Sequence, residues 1–437
     1  MNPAQPVFLE EFRNLHPADL ADRLQRLTLE EAQQILTELP PALAGGAIAE
    51  LERDRQHELL KTLPLQKLTP LLRALSADVI ADLVPALPPS GRRQALESLP
   101  TENQQRVKAL LRYAPDSAGG IMSDRFIALR DDMTVEQVRE LLRAQAQEER
   151  TEDVAYLYVT DAQKRLVGIV SLRDLVFRRA ERRMSEIMRR EVKFLPVDAD
   201  QEKTVQQFEH YHYLGLPVLD KEGRLVGVVK ASDALEVAQT EATEDMQLMV
   251  GLSGEERSHT PWQTSIRHRL PWLYINLATA LLAAFVVGLF ESTIARWTAL
   301  AVFLPIIAGQ GGNAGMQTLT IIVRDLALGE ISAGDGRRAL VKELILGLIN
   351  GAAVGVVVGL IGWWWKSSPA LGIVAFVAMV LNQISAAFAG VAVPFGLKAL
   401  RVDPALASSI FVTTVTDVAG FFFFLGLALL AMKYFGV

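Results

Sequence analysis

The order of apolar and polar residues divides the chain into three patterns. Up to about residue 118, leucines recur at helical spacing in short runs that end in Leu-Pro. Leu20, Leu24 and Leu27 mark the first such run, HPADLADRLQRL, and LTLEEAQQILTELP and PALAGGAIAELERDRQHELLKTLP follow it. Apolar positions three and four apart form one face of a helix, and proline punctuates its ends. These units predict a small all-helical stack of hairpins, each burying its apolar face on its neighbours. From residue 119 to about 236 the order becomes apolar strand, polar turn, apolar strand, helix, and it occurs twice. From Pro271 onward the chain is almost wholly apolar. Spans are expected at 271–290, 297–323, 341–364, 370–397 and 404–432, since a helix needs roughly 20 apolar residues to cross a bilayer.

Charge refines the membrane reading. Arg267, Arg269, Arg324, Arg337, Arg338, Lys342, Lys398 and Arg401 flank one side of these spans, and Arg296, Lys366 and Lys433 the other. The positive-inside rule then puts the N-terminal region in the cytoplasm and the C-terminus outside. Trp262, Arg267, His268, Arg269 and Trp272 read as a basic and aromatic anchor at the cytoplasmic interface. Asp417 is read as the only Asp, Glu, Lys, Arg or His inside any of the five spans. A charge at bilayer depth costs at least about 2.5–3.5 kcal/mol, so such a residue faces water, an ion or a polar partner. Thr413, Thr414 and Thr416 lie within a turn or two of it. The second span holds PIIAGQGGNAGMQ, residues 305–317. Its glycines and amides imply irregular or closely approached backbone near the midplane. Asp403-Pro404 is expected to open the fifth span, with proline in the first turn, and Asn382 and Gln383 add polarity to the fourth.

Composition narrows the chemistry. The chain has 437 residues, no Cys and a net charge of −6. Disulfides and thiolate metal sites are therefore excluded, and nucleic acid is not an expected partner. The start, MNPAQPVFLEEF, lacks the basic and apolar regions of a cleaved signal peptide. Acid concentrates between the repeat and the first span. From Ala231 to Glu256 there is no Lys or Arg but seven carboxylates: Asp233, Glu236, Glu241, Glu244, Asp245, Glu255 and Glu256. On a helix over 233–249 the first five share about half the circumference, at about 100° per residue. Asp78 and Asp82, four apart, share a face of an N-terminal helix. Each acidic face is either solvated or neutralised by a divalent cation. His210 and His212, two apart, point to different faces of a helix and do not suggest a metal pair.

The central repeat carries the first resemblance. AYLYVTDAQKRLVGIV at 155–170 returns as LGLPVLDKEGRLVGVV at 214–229, and Ile-Met precedes each copy, at 121–122 and 187–188. This order resembles a tandem pair of CBS domains. Such pairs often bind adenine nucleotides through a hydroxyl residue three before an Asp that holds the ribose diol. Ser171 and Asp174 fit that pattern; in the second copy Lys230 stands where the hydroxyl belongs, before Asp233. Ser-x-x-Asp is equally an ordinary helix N-cap.

Taken together, LHPADLADRL, YAPDSAGGIM at 113–122, the CBS pair, ATED at 242–245, PIIAGQGGNAGMQ and DPALASSIFVTTVTDVAG at 403–420 resemble the MgtE family of magnesium channels or transporters. The resemblance implies a multidomain homodimer with four parts. These are a helical N-domain over 1–118, a CBS pair over 119–232, an acidic plug helix and connector over 233–270, and five transmembrane helices over 271–437. It implies a multi-pass protein of the plasma (inner) membrane, in contact with lipid, that serves magnesium homeostasis and is not an enzyme. Magnesium is both transported and regulatory, and ATP is a modulator. On this mapping Asp417 is the pore carboxylate. Asp78, Asp82, Asp200, Glu202, Asp233, Glu236, Glu241, Glu244 and Asp245 are sensor positions, and Asp403 faces the plug from the membrane domain. Two departures stand out: Ile410 replaces a usual Pro, and His212 replaces a frequent sensor Asp.

Magnesium binds through few carboxylates and keeps its waters, so one Asp per subunit, doubled by a two-fold axis, suits it. Manganese, cobalt and nickel accept the same ligands. The leading expectation is a channel that closes when internal magnesium is high. A secondary carrier using Asp417 as its protonatable group is the alternative. An aspartyl protease needs two facing carboxylates, and a CBS module alone leaves the spans unexplained.

Overall fold

The computed structural model describes residues 10–146, 156–254, 256–258, 260–406 and 408–435, so Glu255 and the start of the first repeat lie outside the described residues. The chain divides into two compact units, Met1–Ala238 and Gln239–Val437. The helix Ala231–Met249 runs through the division.

In the first unit, eight α-helices run from Pro17–Arg26 to Thr101–Leu110. The Leu-Pro signals fall at helix boundaries: Leu39 caps Leu29–Glu38, and Pro41 occupies the first turn of Pro41–Ala49. Thr28 and Glu31 form a reciprocal capping box at the start of Leu29–Glu38, which satisfies two backbone donors that a helix N-terminus leaves open. The leucines Leu20, Leu24, Leu36, Leu59 and Leu72 are buried in one core, which continues into Leu195, Phe208, Leu216 and Val218 of the second repeat copy.

Each repeat copy builds a three-stranded sheet: β1 (Ala128–Arg130), β2 (Tyr156–Thr160) and β3 (Leu166–Ser171), then β4 (Leu195–Pro196), β5 (Gly215–Leu219) and β6 (Leu225–Lys230). In both, the first pair is parallel and the second antiparallel, with a register shift at Val159/Thr160 and at Val218/Leu219. The turns match atom for atom. Asp161 Oδ1 accepts from the N–H of Gln163 and Arg165, and Asp220 Oδ1 from Glu222 and Arg224. The left-handed residue each turn requires is Lys164 in one copy and Gly223 in the other; glycine meets that demand without strain.

The Ile-Met segments explain the Leu-Val-Gly motif. Each packs on the opposite copy. A Cβ on Gly227 would lie 2.3 Å from Met122 Sδ, and one on Gly168 would lie 2.7 Å from Met188 Sδ. Each methionine therefore needs a glycine on the other sheet, which locks the two copies together.

Among the described residues of the second unit, five helices are long and apolar enough to cross a membrane: Trp262–Leu289, Ala299–Ala327, Gly336–Lys366, Pro369–Ala399 and Ser408–Phe435. We call them the first to fifth spans. Two expectations change, and one alternative is resolved. The first span starts at Trp262 because the basic anchor is itself helical and Pro271 is accommodated within it. The fifth begins at Ser408, so Pro404 is not in its first turn; Asp403 Oδ1 instead accepts the Ala405 N–H at 2.7 Å in a turn before the helix. The second span is one continuous helix through Pro305 and the glycines, so its glycines serve close approach rather than irregular backbone.

Close approach is most regular between the third and fourth spans. Gly347, Gly351, Gly355 and Gly359 repeat every four residues, and a Cβ on each would lie within about 3 Å of the fourth span, at Gln383 O, Val380 Cα, Phe376 O and Gly372 O. Such spacing lets helix backbones approach directly in lipid. Gly351→Val is expected to destabilise the membrane unit by about 1–3 kcal/mol through overpacking. Gly396→Ala, whose added Cβ meets nothing within 4 Å, should leave the melting curve in detergent unchanged. Equal melting of the two variants would refute this packing argument.

Candidate ion path and cation-sensing sites

Asp417 lies nine residues into the fifth span from Ser408, roughly 13 Å along it at 1.5 Å per residue. That is near the middle of a bilayer about 30 Å thick. The carboxylate is half-buried, and among the described residues it has no hydrogen bond or ion pair. One turn earlier, the Thr413 hydroxyl donates to the carbonyls of Ser409 and Ile410, and Thr414 donates to Ile410 O at 2.6 Å. Thr416 donates to Thr413 O at 3.0 Å. These hydroxyls spend their protons on the helix; Thr413 and Thr414 are half-buried, and Thr416 is fully buried.

The second and fourth spans hold this helix in place. Asn382 is fully buried and donates from Nδ2 to Ile307 O at 2.8 Å. Gly311 and Gly420 make room for it: a Cβ would lie 2.2 Å and 2.8 Å from Asn382 Nδ2, respectively. Gly315 approaches Val412, and Gly312 faces Thr413. The glycines and amides of 305–317 thus draw the second span against the helix that carries Asp417. Along the same span Gly309, Gln310 and Asn313 remain exposed.

Sequence reading passed over two ionisable residues here. Lys342 and Glu343 fall inside the expected span 341–364 and inside the helix Gly336–Lys366, and Glu343 is only 4% exposed. Asp417 is therefore not the only ionisable residue within the spans. Glu343 stands four residues before Gly347 on the glycine stripe, the signal that would have revealed its burial.

The acidic positions form two groups, one in each unit. In the first unit Asp78 Oδ2 accepts from Ser123 Oγ at 2.5 Å, while its Oδ1 is buried with no hydrogen-bond partner among the described residues. Burial holds the Asp233 carboxyl above the usual range, and the negative charge of Asp78 adds to this. Ser232 Oγ donates to Asp233 Oδ1 at 2.9 Å and works in the opposite sense. Asp82 follows Asp78 on the helix Ala77–Leu83. Asp200 caps the helix Gln201–Tyr211 and accepts from the Glu202 N–H at 2.9 Å. His212 ends that helix in the left-handed region, at φ 53°.

In the second unit Glu241, Glu244 and Asp245 are half-buried and Asp403 is exposed. The Asp245 carboxyl is pushed up to about 7, first by burial and then by the charges of Asp403, Glu241 and Glu244. This group is a crowd of like charges beside the turn that precedes the fifth span. Ile410, buried in that span's first turns, lies 3.4 Å from where a Cβ on Gly251 would sit. Glu256 does not join the acidic face: Arg269 donates to its Oε1 at 2.5 and 2.8 Å and holds its carboxyl below the usual range. Gln247 also grips the Glu256 backbone, donating to its carbonyl at 2.7 Å and accepting its N–H at 3.0 Å. The C-terminal half of the acidic helix is thereby clasped to the start of the first span. Among the described residues no three His, Cys, Asp or Glu converge as a closed cage; the chain offers pairs and open crowds of carboxylates.

At the expected nucleotide position, Ser171 and Asp174 form the capping box of the helix Leu172–Phe177. The Ser171 hydroxyl donates to Asp174 Oδ2 at 2.7 Å and is the main reason that carboxyl lies low.

Known proteins share this order of domains. The family model for divalent cation transporters of the MgtE type matches residues 304–427. The model for the MgtE intracellular N domain matches 15–116, and CBS domain models match 118–181 and 184–239. A protein named Magnesium transporter MgtE from Thermus thermophilus is 36% identical over 97% of this chain and 95% of its own length. Another of that name, from Bacillus subtilis, is 28% identical over 96% and 94%. A crystal structure of the cytosolic domain of the Mg2+ channel MgtE in complex with ATP superposes with a TM-score of 0.50 and 38% identity, over 52% of this chain and 93% of that one. The chain belongs to the MgtE family of divalent cation transporters, a family of membrane proteins and not of enzymes.

Proposed function

We propose that the chain is a magnesium channel that closes when cytoplasmic magnesium is high, acting as a homodimer in the inner membrane. The observation that carries this reading is the pairing of two features: an unpartnered carboxylate at mid-membrane, Asp417, and a crowd of like charges, Glu241, Glu244, Asp245 and Asp403, next to the helix that bears it. The first offers a hydrated cation one anionic ligand per subunit, and the second makes the closed arrangement depend on a cation. The names of the full-length relatives support magnesium as the ion.

The regulatory ligands are all carboxylate oxygens, which suits a hard cation that retains water. The buried, unpartnered Oδ1 of Asp78 beside Asp233 fits such an ion. Asp82, Asp200, Glu202 and Glu236 complete the sensor. Two unit charges about 4 Å apart repel by roughly 4 kcal/mol at an effective dielectric of 20, and screening at exposed Asp403 lowers this. A few such pairs still match the few kcal/mol that separate two conformations. Without magnesium the acidic surfaces separate and the acidic helix leaves the pore mouth; with it they close.

Reconstitution in liposomes tests the transport reading. Magnesium influx that responds to voltage and not to a pH gradient is expected; influx that requires a proton gradient would favour the carrier.

ATP is the modulator, bound at Ser171 and Asp174 of the first CBS copy, where an ionised Asp174 can hold the ribose diol. The ATP-bound relative supports this. Calorimetry of the full chain should show ATP binding that Asp174→Asn weakens by at least about tenfold, as expected for losing charge-assisted hydrogen bonds. Equal heats from both proteins would remove the assignment.

A further inference from the structure

Glu343 has no part in the ion path described above, yet it is buried on the third span with its carboxylate against a cavity. Its Oε2 accepts from Thr318 Oγ1 at 3.0 Å. Its Oε1 has no hydrogen-bond partner among the described residues, although the Lys342 Nζ lies 3.2 Å away as an ion pair. The Glu343 side chain is 6% exposed and that of Lys342 is 63% exposed. The neutralising cation is thus the end of a flexible, mostly solvated side chain, held by charge without a directed hydrogen bond.

The cavity measures about 140 Å3, and Gln317, Asn350 and Gln383 line it together with Thr318, Lys342 and Glu343. One water needs about 10–15 Å3 on this measure, so the space holds several. Its donors are one carboxylate, one hydroxyl and three side-chain amides, with no sulfur and no imidazole. Gln383 donates from Nε2 to Gln310 O at 3.4 Å, which leaves its amide oxygen as an acceptor. An all-oxygen set with a single carboxylate is what a hard divalent ion that keeps most of its water can use.

We propose that this cavity is a second cation site of the membrane unit, in which a hydrated divalent cation exchanges with the Lys342 ammonium against Glu343. Lysine holds the carboxylate when no ion is present. The ion brings twice the charge, and its waters reach the amides, which the ammonium cannot do from one side. Lys342 is then a tethered competitor, and the two neighbouring residues have opposite effects on affinity. The site does not use Asp417, so it and the channel reading can fail separately.

The chain has no cysteine, so Leu346→Cys, on the cavity wall, accepts a single nitroxide. The full chain, carrying also Asp417→Asn to empty the pore, is placed in lipid nanodiscs and titrated with Mn2+. Saturable broadening of the nitroxide spectrum is expected. Glu343→Gln should abolish it or move it at least about tenfold to higher Mn2+, and Lys342→Met should move it about tenfold to lower Mn2+, as removal of a nearby like charge requires. No saturable broadening, or the same titration with Glu343→Gln, would overturn the site. Weaker or unchanged binding in Lys342→Met would also overturn it, since a purely structural ion pair predicts no gain. Lys342 is largely exposed, so this second variant decides the matter even if Glu343→Gln fails to fold.

Discussion

Asp417→Ala is expected to reduce magnesium flux to the level of empty liposomes, with the protein still folded. The carboxylate sits near the bilayer middle, half-buried, with no protein partner among the described residues. Nothing in the fold depends on its charge, because the packing around it runs through Gly420, Asn382 and Gly311. Its removal should therefore spare stability. What is lost is an anionic ligand in a low-dielectric passage, where attraction for a cation is far stronger than in water. Asp417→Asn keeps the shape and removes only the charge, and a loss of at least about tenfold is expected from it. Flux at the parent level from either variant, at equal reconstituted amount, would remove Asp417 from the path.

Relief of inhibition is the second large effect. Neutralising Glu244 and Asp245 together as Gln and Asn should leave the channel open at cytoplasmic magnesium levels that close the parent. Burial and three neighbouring carboxylates already push Asp245 to about 7, so the ionised group holds together only with a cation among its carboxylates. The double variant lacks two ligands for that cation, so rising magnesium no longer drives closing and the magnesium dependence should flatten. Deletion of residues 1–118 should act in the same direction by removing Asp78 and Asp82. In both, current plotted against cytoplasmic magnesium is the readout, and a curve that overlays the parent's would mean these acids only face solvent.

Much of this architecture can be read from the chain because its signals are periodic and redundant. Leu-Pro boundaries announced the short helices, and the repeated order of apolar strand, polar turn and apolar strand announced the two sheets. The uninterrupted apolar runs gave five spans to within several residues. The readings that changed share a cause. Hydropathy treats any charge near the end of an apolar run as a flank, so Lys342 was counted with the flanking charges and Glu343 was passed over although both fall within 341–364, and the helix itself reaches back to Gly336. Proline and glycine are ambiguous in lipid: in 305–317 they fitted irregular or closely approached backbone alike, and the fold takes close approach, with a regular helix packed around Asn382. Pairings between distant carboxylates, such as Asp78 with Asp233 and Asp245 with Asp403, have no local signature at all. The family resemblance named these acids as sensor positions and set Asp403 facing the plug, but their electrostatic effect on each other appears only once the chain is folded.

Recording current from the purified full chain in a planar bilayer, with magnesium as the only permeant cation, tests the central claim most directly. Cytoplasmic magnesium is raised stepwise through the millimolar range at fixed voltage and pH. The structure's acidic crowd above the Asp417 helix leads to one expectation: a current that is high at low cytoplasmic magnesium and falls toward zero as it rises. A current that is absent throughout, or that stays constant across the whole range, would contradict the account.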